Sequence, residues 1–422
     1  MKRRVFLKNT AAISAFTILR PGTVFSYKAN SAIQMGIIGC GGRGTAVISS
    51  ISANTNTNII AMADLFEDKL QTATPVYNNL NKTKGFPAID QSAIYRNSKA
   101  YMRLLENKNV DAVLISSPAY THPGFLEAAV MAGKHVYCEK PVSPDAAGCK
   151  RIIETGQKLS GKQSLVIGFQ IRYASAYVEL VNRIQRGDIG TLISVQLYYF
   201  SSGTPIHPFS NVSNDEFRIR NHYHFRALSG GILLDQGIHM LDVCNWALKG
   251  HAVKAIGNGS MKGGPDVGDT YNNYEVIYEY PGNINVTIHS TQVGPSFGDV
   301  CCRFVGTKGV AEAHYSGGVF IKGDNAWDSG IAKDESKLSK EQQASGVFLS
   351  SLHDADANKE TAFIKSIETA NYLNEAKQGA ESTLTAILGR EAAEKRQEKT
   401  WEEIVRTNEK LDPALNLPQF DK

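Results

Sequence analysis

Three side chains of this sequence carry groups that could handle a proton together. Asp235 and His239 stand four residues apart in the largely apolar run 231–248, which reads as a helix. On a helix that spacing puts both on one face, where a carboxylate can orient an imidazole and stabilise its charged form. Lys140 follows a short apolar strand, 135–139, and precedes Pro141. A lysine just past a strand's carboxyl end sits where open α/β sheets bind ligands, and its ammonium can donate to an oxygen as charge builds up on it. A proton acceptor and an oxyanion donor are what the oxidation of an alcohol requires. Each also has a duller reading: Lys140 as a surface lysine before a proline turn, and Asp235 with His239 as a pair that only packs within its helix.

A second group of residues is suited to a dinucleotide. In the stretch 34–44, QMGIIGCGGRG, a short apolar strand runs into Gly39, Gly41 and Gly44, spaced G-x-G-x-x-G. Without a Cβ at those positions the backbone can turn tightly and press against a pyrophosphate, and a helix beginning at Gly44 aims free N–H groups at that anion. A glycine fingerprint alone is weak, but a second strand, 58–64, ends in Asp64, twenty residues beyond Gly44. A carboxylate there accepts hydrogen bonds from ribose hydroxyls and repels a ribose phosphate, which favours NAD over NADP. Arg43, beside Gly42 in the same turn, keeps a phosphate contact and hence NADP open. The plain alternative is an ordinary strand-to-helix turn with a solvated acid.

Polar and aromatic residues on an irregular stretch, 203–229, supply a candidate substrate surface. Arg218, Arg220, His222, Tyr223, His224 and Arg226 are expected to line it, with Arg172 and Tyr173 facing the same cleft. His222 and His224 together with Asp235 and His239 could also bind zinc, but H-x-H spacing is short and common, and no metal is assigned.

The elements that must position these groups alternate strand and helix from Ile33 to about Gly168. That pattern predicts a doubly wound parallel sheet covered on both faces. A polar, irregular stretch is expected near 77–97. Beyond 168 consecutive strand-like runs with short turns (190–201, 252–257, 271–280, 284–291, 302–305 and 310–314) and helices at 231–248, 359–369 and 383–398 predict an α+β domain with a large, mostly antiparallel sheet. The organisation expected is thus 1–32 signal and linker, 33–168 nucleotide-binding domain and 169–422 substrate and oligomerisation domain.

At 422 residues the chain exceeds what one core usually serves. Its 45 basic and 41 acidic side chains nearly balance, with no basic cluster interleaved with aromatics, which argues against nucleic acid as a partner. The six cysteines show no C-x-x-C pair and no metal-ligand spacing, so buried free thiols are expected. Arg3 and Arg4 with Phe6, Leu7 and Lys8, ahead of a short apolar run, resemble a twin-arginine export signal. The expectation is a periplasmic protein handled by the twin-arginine machinery; the alternative is a basic tail on a cytoplasmic one.

The glycine fingerprint, Ser116-Ser117-Pro118 with His122, Glu139-Lys140-Pro141, Asp235-Gln236-Gly237-Ile238-His239, Gly306–Gly309 and the late Leu388-Gly389-Arg390-Glu391-Ala392 before Trp401 follow one another as in the glucose–fructose oxidoreductase and inositol dehydrogenase family, which the chain resembles from Ile33 to Trp401. The resemblance implies that Lys140, Asp235 and His239 form the catalytic group, with Lys140 between nicotinamide and substrate and His239 taking the hydroxyl proton. It implies NAD held by Gly39, Gly41, Gly42, Arg43, Gly44, Asp64, Ser117, Pro118, His122, Glu139, Lys140 and Gln170. His122 can equally serve only to open its helix. The substrate expected is a small carbohydrate, met by Arg172, Tyr173, His222, Tyr223 and His224, in a dimer or tetramer. An exported enzyme has little free NAD to exchange, so a redox-neutral, NAD-dependent glycosidase or lyase stands as an alternative to net oxidoreduction, and a non-catalytic binding protein as a third reading.

Overall fold

A computed structural model describes residues 32–293, 298–331 and 351–421. The twin-arginine motif therefore lies outside the described residues. Two sheets organise the chain. The first has six parallel strands in the order β3-β2-β1-β4-β5-β6, formed by β1 (Ile33–Ile38), β2 (Thr57–Asp64), β3 (Ile94–Arg96), β4 (Ala112–Ile115), β5 (His135–Cys138) and β6 (Leu165–Ile167). Its central strands are largely apolar because helices cover both faces; all four residues of β4 are buried. Parallel register aligns the strand ends: Ile38 pairs with Ala63 and Ile115, and Ile115 with Cys138. The loops that begin at Gly39, Asp64, Ser116 and Glu139 consequently open side by side, at the carboxyl edge where such sheets bind ligands.

Helix α1 (Gly42–Asn54) starts two residues earlier than the fingerprint alone suggested. Helix α2 (Glu67–Thr83) occupies part of the stretch expected to be irregular. Pro75 inside it obscures the pattern, yet Leu70, Ala73, Tyr77 and Asn81 share one buried face. Helices α3 (Ala100–Glu106), α4 (His122–Met131) and α5 (Ala146–Gln157) complete the layer, α5 being capped by the Asp145 carboxylate, which accepts from the Gly148 N–H at 2.7 Å.

After α6 (Ser175–Gln185) comes the second sheet, nine strands in the order β14-β13-β12-β11-β7-β10-β9-β8-β15. It is antiparallel except where β10 (Ile284–Gln292) runs parallel to β7 (Leu192–Ser201). Along β9 (Asn273–Tyr280) burial alternates strictly, with Tyr274, Val276, Tyr278 and Tyr280 turned toward the helices and Glu275, Ile277 and Glu279 turned outward.

Between β7 and β8 (Lys254–Ser260) lie α7 (Asn214–Arg220), the short α8 (Arg226–Ser229), and α9 (Ile238–Leu248), which is preceded by a π-helical turn, Leu233–Gly237. Beyond β11 (Val300–Gly306), β12 (Gly309–His314), β13 (Val319–Gly323) and β14 (Trp327–Asp328), the chain returns to the first sheet. Helix α10 (Ala355–Glu368) packs on α1, and α11 (Ala376–Lys395) fills the space between the sheets.

Two features of α11 fix its place between the sheets. Gly389 lies so close to Tyr278 that a Cβ would sit 1.8 Å from the phenol oxygen. The fully buried Arg390 donates to the carbonyls of Pro144 at 2.8 Å and Gly230 at 3.2 Å, just beyond the Lys140 loop and just before the π turn. A charged side chain in such a place needs partners, and these carbonyls with Glu391 supply them. Strand β15 (Lys399–Thr400) and α12 (Trp401–Thr407) follow. All six cysteines are buried and free. No helix among the described residues is long and apolar enough to cross a membrane.

Candidate active site

A cleft of about 1260 Å³ separates the carboxyl edge of the parallel sheet from the second lobe. Its floor is the glycine turn. Gly39 has φ +95°, and a Cβ there would lie 2.6 Å from the Ser116 backbone; a Cβ on Gly44 would lie 2.2 Å from the Gly39 oxygen. Gly41 and Gly42 instead face open space with nothing within 4 Å. Two of these glycines thus let the chain pack on itself and two leave a cradle that side chains would fill, which fits a pyrophosphate at the start of α1. Asp64 lines the same cleft. Its two oxygens accept the N–H groups of Cys40 at 2.7 Å and Phe66 at 3.0 Å, so the carboxylate is fixed in place with a lone pair left on each oxygen for ribose hydroxyls. Burial raises its pKa, against those two hydrogen bonds.

Arg43 lines the cleft with its guanidinium held by acidic side chains. Its Nε donates to Glu139 at 2.9 Å and its Nη2 lies 3.4 Å from Asp356 on α10. Glu139 can occupy this buried position because residue 168 is glycine: a Cβ there would stand 2.4 Å from the Glu139 oxygen. Burial pushes the Glu139 carboxyl up, but Arg43, Lys359 and Lys140 outweigh it and hold the group below the ordinary carboxylate range. Lys359, on α10, is fully buried over the Tyr137 ring, a participant that nothing in the local sequence signals.

Lys140 reaches from the parallel-sheet lobe to the π turn of the other. Its Nζ donates to the Asp235 backbone carbonyl and lies 3.3 Å from Asp235 Oδ1. The carboxylate therefore pairs with the lysine and makes no hydrogen bond to His239 among the described residues. The i, i+4 expectation fails because the π turn widens the helix at this point and rotates Asp235 out of line with His239. His239 is buried between Tyr199, whose ring is 6.4 Å away at an interplanar angle of 21°, and Phe169, at 6.4 Å and 83°. Its Nδ1 has no hydrogen-bond partner. Burial drives the imidazole well below its ordinary pKa of 6.5, and the charges of Lys140, Arg43 and Lys359 push the same way. The imidazole is thus held neutral, the opposite of the charged form that an Asp235 partner would have favoured. Tyr199 and Gln236 also line the cleft, neither of them proposed from the sequence as a site residue.

His122 opens α4 and is buried, its Nδ1 2.8 Å from the Pro141 carbonyl and its Nε2 2.7 Å from that of Ser117. It clamps the loop after β4 to the loop that carries Lys140. Burial lowers its pKa, with the two carbonyls acting in the opposite direction. Ser117 and Pro118 border the cleft, the Ser117 hydroxyl 2.6 Å from that of Thr121. Gln170 lies at the rim by Tyr315, its Nε2 3.5 Å from the phenol oxygen.

Of the proposed substrate residues, His222 and Tyr223 line the cleft, their rings 4.2 Å apart. The Asp235 charge, then burial, raises the Tyr223 phenol. Three others point elsewhere. Arg172 forms a bidentate pair with Asp242, its Nε 2.8 Å from Oδ2 and its Nη2 2.9 Å from Oδ1, and covers Trp246. Tyr173 donates to Glu375 at 2.5 Å. His224 is buried outside the cleft lining, its Nε2 without a partner. With His224 turned away, the imidazoles do not gather round Asp235.

Among the described residues the group spaced to ligate an ion is Asp299, Cys301 and His314, where the Cys301 thiol bonds to Asp299 and His314 Nε2 lies 2.6 Å from Glu312. Arg218 and Arg226 are also occupied elsewhere, Arg218 by the carbonyls of Pro413 and Ala414 and Arg226 by Glu391 at 2.5 Å.

Residues 33–167 match the model of an oxidoreductase family with an NAD-binding Rossmann fold, and residues 177–312 match the GFO/IDH/MocA C-terminal domain. The chain belongs to the GFO/IDH/MocA oxidoreductase family. Inositol 2-dehydrogenase of Salmonella typhimurium is 28% identical over 283 residues, 66% of this chain and 73% of the relative. Aldose-aldose oxidoreductase from Caulobacter crescentus, crystallised with glycerol, shares the fold at a TM-score of 0.66 and 18% identity over 87% of this chain and 99% of that one. Scyllo-inositol dehydrogenase of Lactobacillus casei, solved with NAD(H) and scyllo-inositol, does so at 0.64 and 20% over 88% and 99%. This GFO/IDH/MocA chain is an NAD-dependent oxidoreductase, and the open cradle at Gly41 and Gly42 with the Asp64 carboxylate beside it fits that cofactor.

Proposed function

We propose that the chain oxidises a secondary hydroxyl of a sugar, glycoside or cyclitol, with Lys140 and His239 acting on one oxygen. The observation that carries this reading is that Lys140 from one lobe and His239 from the other border one cleft, with the lysine charge near enough to act on the imidazole. NAD, when bound, supplies the hydride acceptor. A neutral His239 is ready to take the hydroxyl proton, and the Lys140 ammonium donates to the oxygen as it gains charge. Asp235 holds Lys140 on this side of the cleft. His222 and Tyr223 lie where they can hydrogen-bond the remaining hydroxyls of a polyol. The test is to incubate NAD-loaded protein with inositols, aldoses and aryl glycosides and follow both NADH and released aglycone. Net NADH supports oxidoreduction; aglycone release without NADH assigns the redox-neutral cleavage.

Arg3 and Arg4 support export to the periplasm through the twin-arginine route, which Lys substitution at both positions should block. The outward face of the nine-stranded sheet exposes the register partners Ile256 and Ile277, and a second copy covering them is consistent with a dimer or tetramer. Light scattering of the purified protein tests that assembly.

A further inference from the structure

The segment after α12 leaves the helix at Asn408, in the left-handed conformation, and does not end on the surface of its own lobe. Its first attachment is to the nucleotide lobe. The Glu409 carbonyl accepts from the Ala147 N–H at 3.1 Å, and the Leu411 N–H donates to Asp145 Oδ2 at 2.8 Å. Asp145 thus caps α5 with one oxygen and holds this segment with the other.

The chain then crosses to the second lobe. Arg218 donates to the Pro413 carbonyl at 2.8 Å and to that of Ala414 at 3.1 Å; Asp215 accepts from the Asn416 N–H and from Gln419 Nε2, both at 2.9 Å. Finally it returns to the nucleotide lobe, where Asp421 accepts from the Ser98 N–H at 2.9 Å and the Phe420 ring meets the edge of Phe66 at 5.7 Å.

Between these anchors Lys410, Leu411, Pro413 and Leu417 line the cleft. They do so beside Phe66, two residues past Asp64, and hence on the adenosine side of the dinucleotide position. The same margin is closed by Arg220, which bonds both oxygens of Asp68 at 2.8 and 3.0 Å with its guanidinium 3.9 Å above the Phe66 ring. A segment fastened to both lobes must detach from one of them before a ligand beneath it can leave.

We infer that residues 410–421 are a strap over the adenosine end of the dinucleotide site, which keeps NAD on the protein from one turnover to the next. This rests on the NAD-dependent reading of the cleft. Arg218, which the sequence suggested as a substrate contact, and Asp215 are positioning residues that act through the strap.

The experiment loads the full chain with NADH, chases with excess NAD and follows the loss of bound-NADH fluorescence. It is repeated for Asp215→Ala, for Phe420→Ala with Asp421→Ala, and for a chain stopped after Glu409, with the melting temperature of each. The expected result is slow release from the full chain and release at least tenfold faster from the distal double variant at an unchanged melting temperature. Equal release rates, or fast release from the full chain, overturn the strap. A lowered melting temperature with unchanged release marks a merely structural tail and also overturns it. Failure of every form to bind NADH removes the cofactor reading itself, and the strap with it.

Discussion

The Lys140 ammonium lies 3.3 Å from the Asp235 carboxylate, joining the loop after β5 to the π turn before α9 across the cleft. The pair ties together the two lobes that border the cleft, and on the proposed chemistry it leaves His239 a neutral base without a carboxylate partner.

Lys140→Ala should lower kcat by about 10²- to 10⁴-fold, the range for removing a positioned proton or charge partner, while NAD still binds at the glycine turn. Steady-state kinetics with a cofactor titration check this. A kcat within a few-fold of the parent would remove Lys140 from the chemistry.

Asp64→Asn should weaken NAD and narrow its preference over NADP. The amide keeps one acceptor oxygen for the Cys40 or Phe66 N–H but loses the charge that repels a ribose phosphate. Dissociation constants for the two cofactors, measured by calorimetry, are expected to converge by about tenfold, roughly 1.4 kcal/mol.

Arg172→Ala separates a structural from a binding role. The Arg172–Asp242 pair is buried, with Asp242 side-chain exposure of 1%, and removing one partner of such a pair costs about 3–5 kcal/mol. Denaturant unfolding should show that loss, while KM of the folded fraction stays within about twofold. A raised KM with intact stability would restore Arg172 to the substrate site.

How far the sequence could be read depended on how local each interaction is. Gly39, Gly44 and Asp64 belong to strand–turn–helix units of a few residues, where the backbone conformation and the chemistry are set together, and they stand where the spacing placed them. Arg172, Tyr173 and His224 looked like substrate groups because a polar side chain on a loop is indistinguishable from one whose partner lies far along the chain. Asp242 and Glu375 are 70 and 202 residues from theirs. The Asp235–His239 geometry was misread for a different reason: i, i+4 spacing presumes regular α-helix, and the π turn breaks that presumption. Helix α2 was hidden by Pro75, and the crossing of 410–421 over the cleft leaves no periodic signature at all.

The pH dependence follows from the imidazoles that burial keeps neutral. Burial lowers the pKa of His122, His135, His222, His224 and His239 below 6.5, their ordinary value. For a group whose folded pKa is depressed, the unfolded chain takes up protons first as pH falls below 6.5. Stability is therefore full above that value and declines beneath it, by up to about 1.4 kcal/mol per pH unit for each imidazole. Glu360 works in the opposite sense: burial raises it to about 8, so its contribution grows as pH falls toward 4.5. Burial raises Asp64, Glu375 and Glu394 in the same sense, but the five lowered imidazoles outnumber these four carboxyls, and melting temperature should fall between pH 6.5 and 5, less steeply in His239→Gln. Catalysis should hold its plateau through pH 6.5, with the acid limb of kcat/KM well below it.

The most direct measurement mixes NAD-loaded protein rapidly with an inositol or aldose that it turns over and follows NADH absorbance in the first turnover, for the parent, Lys140→Met and His239→Gln. The account predicts a burst in the parent and its slowing by at least a hundredfold in both variants, with NAD occupancy unchanged. Bursts of equal rate in all three would show that the ammonium and the imidazole do not act on the reacting alcohol.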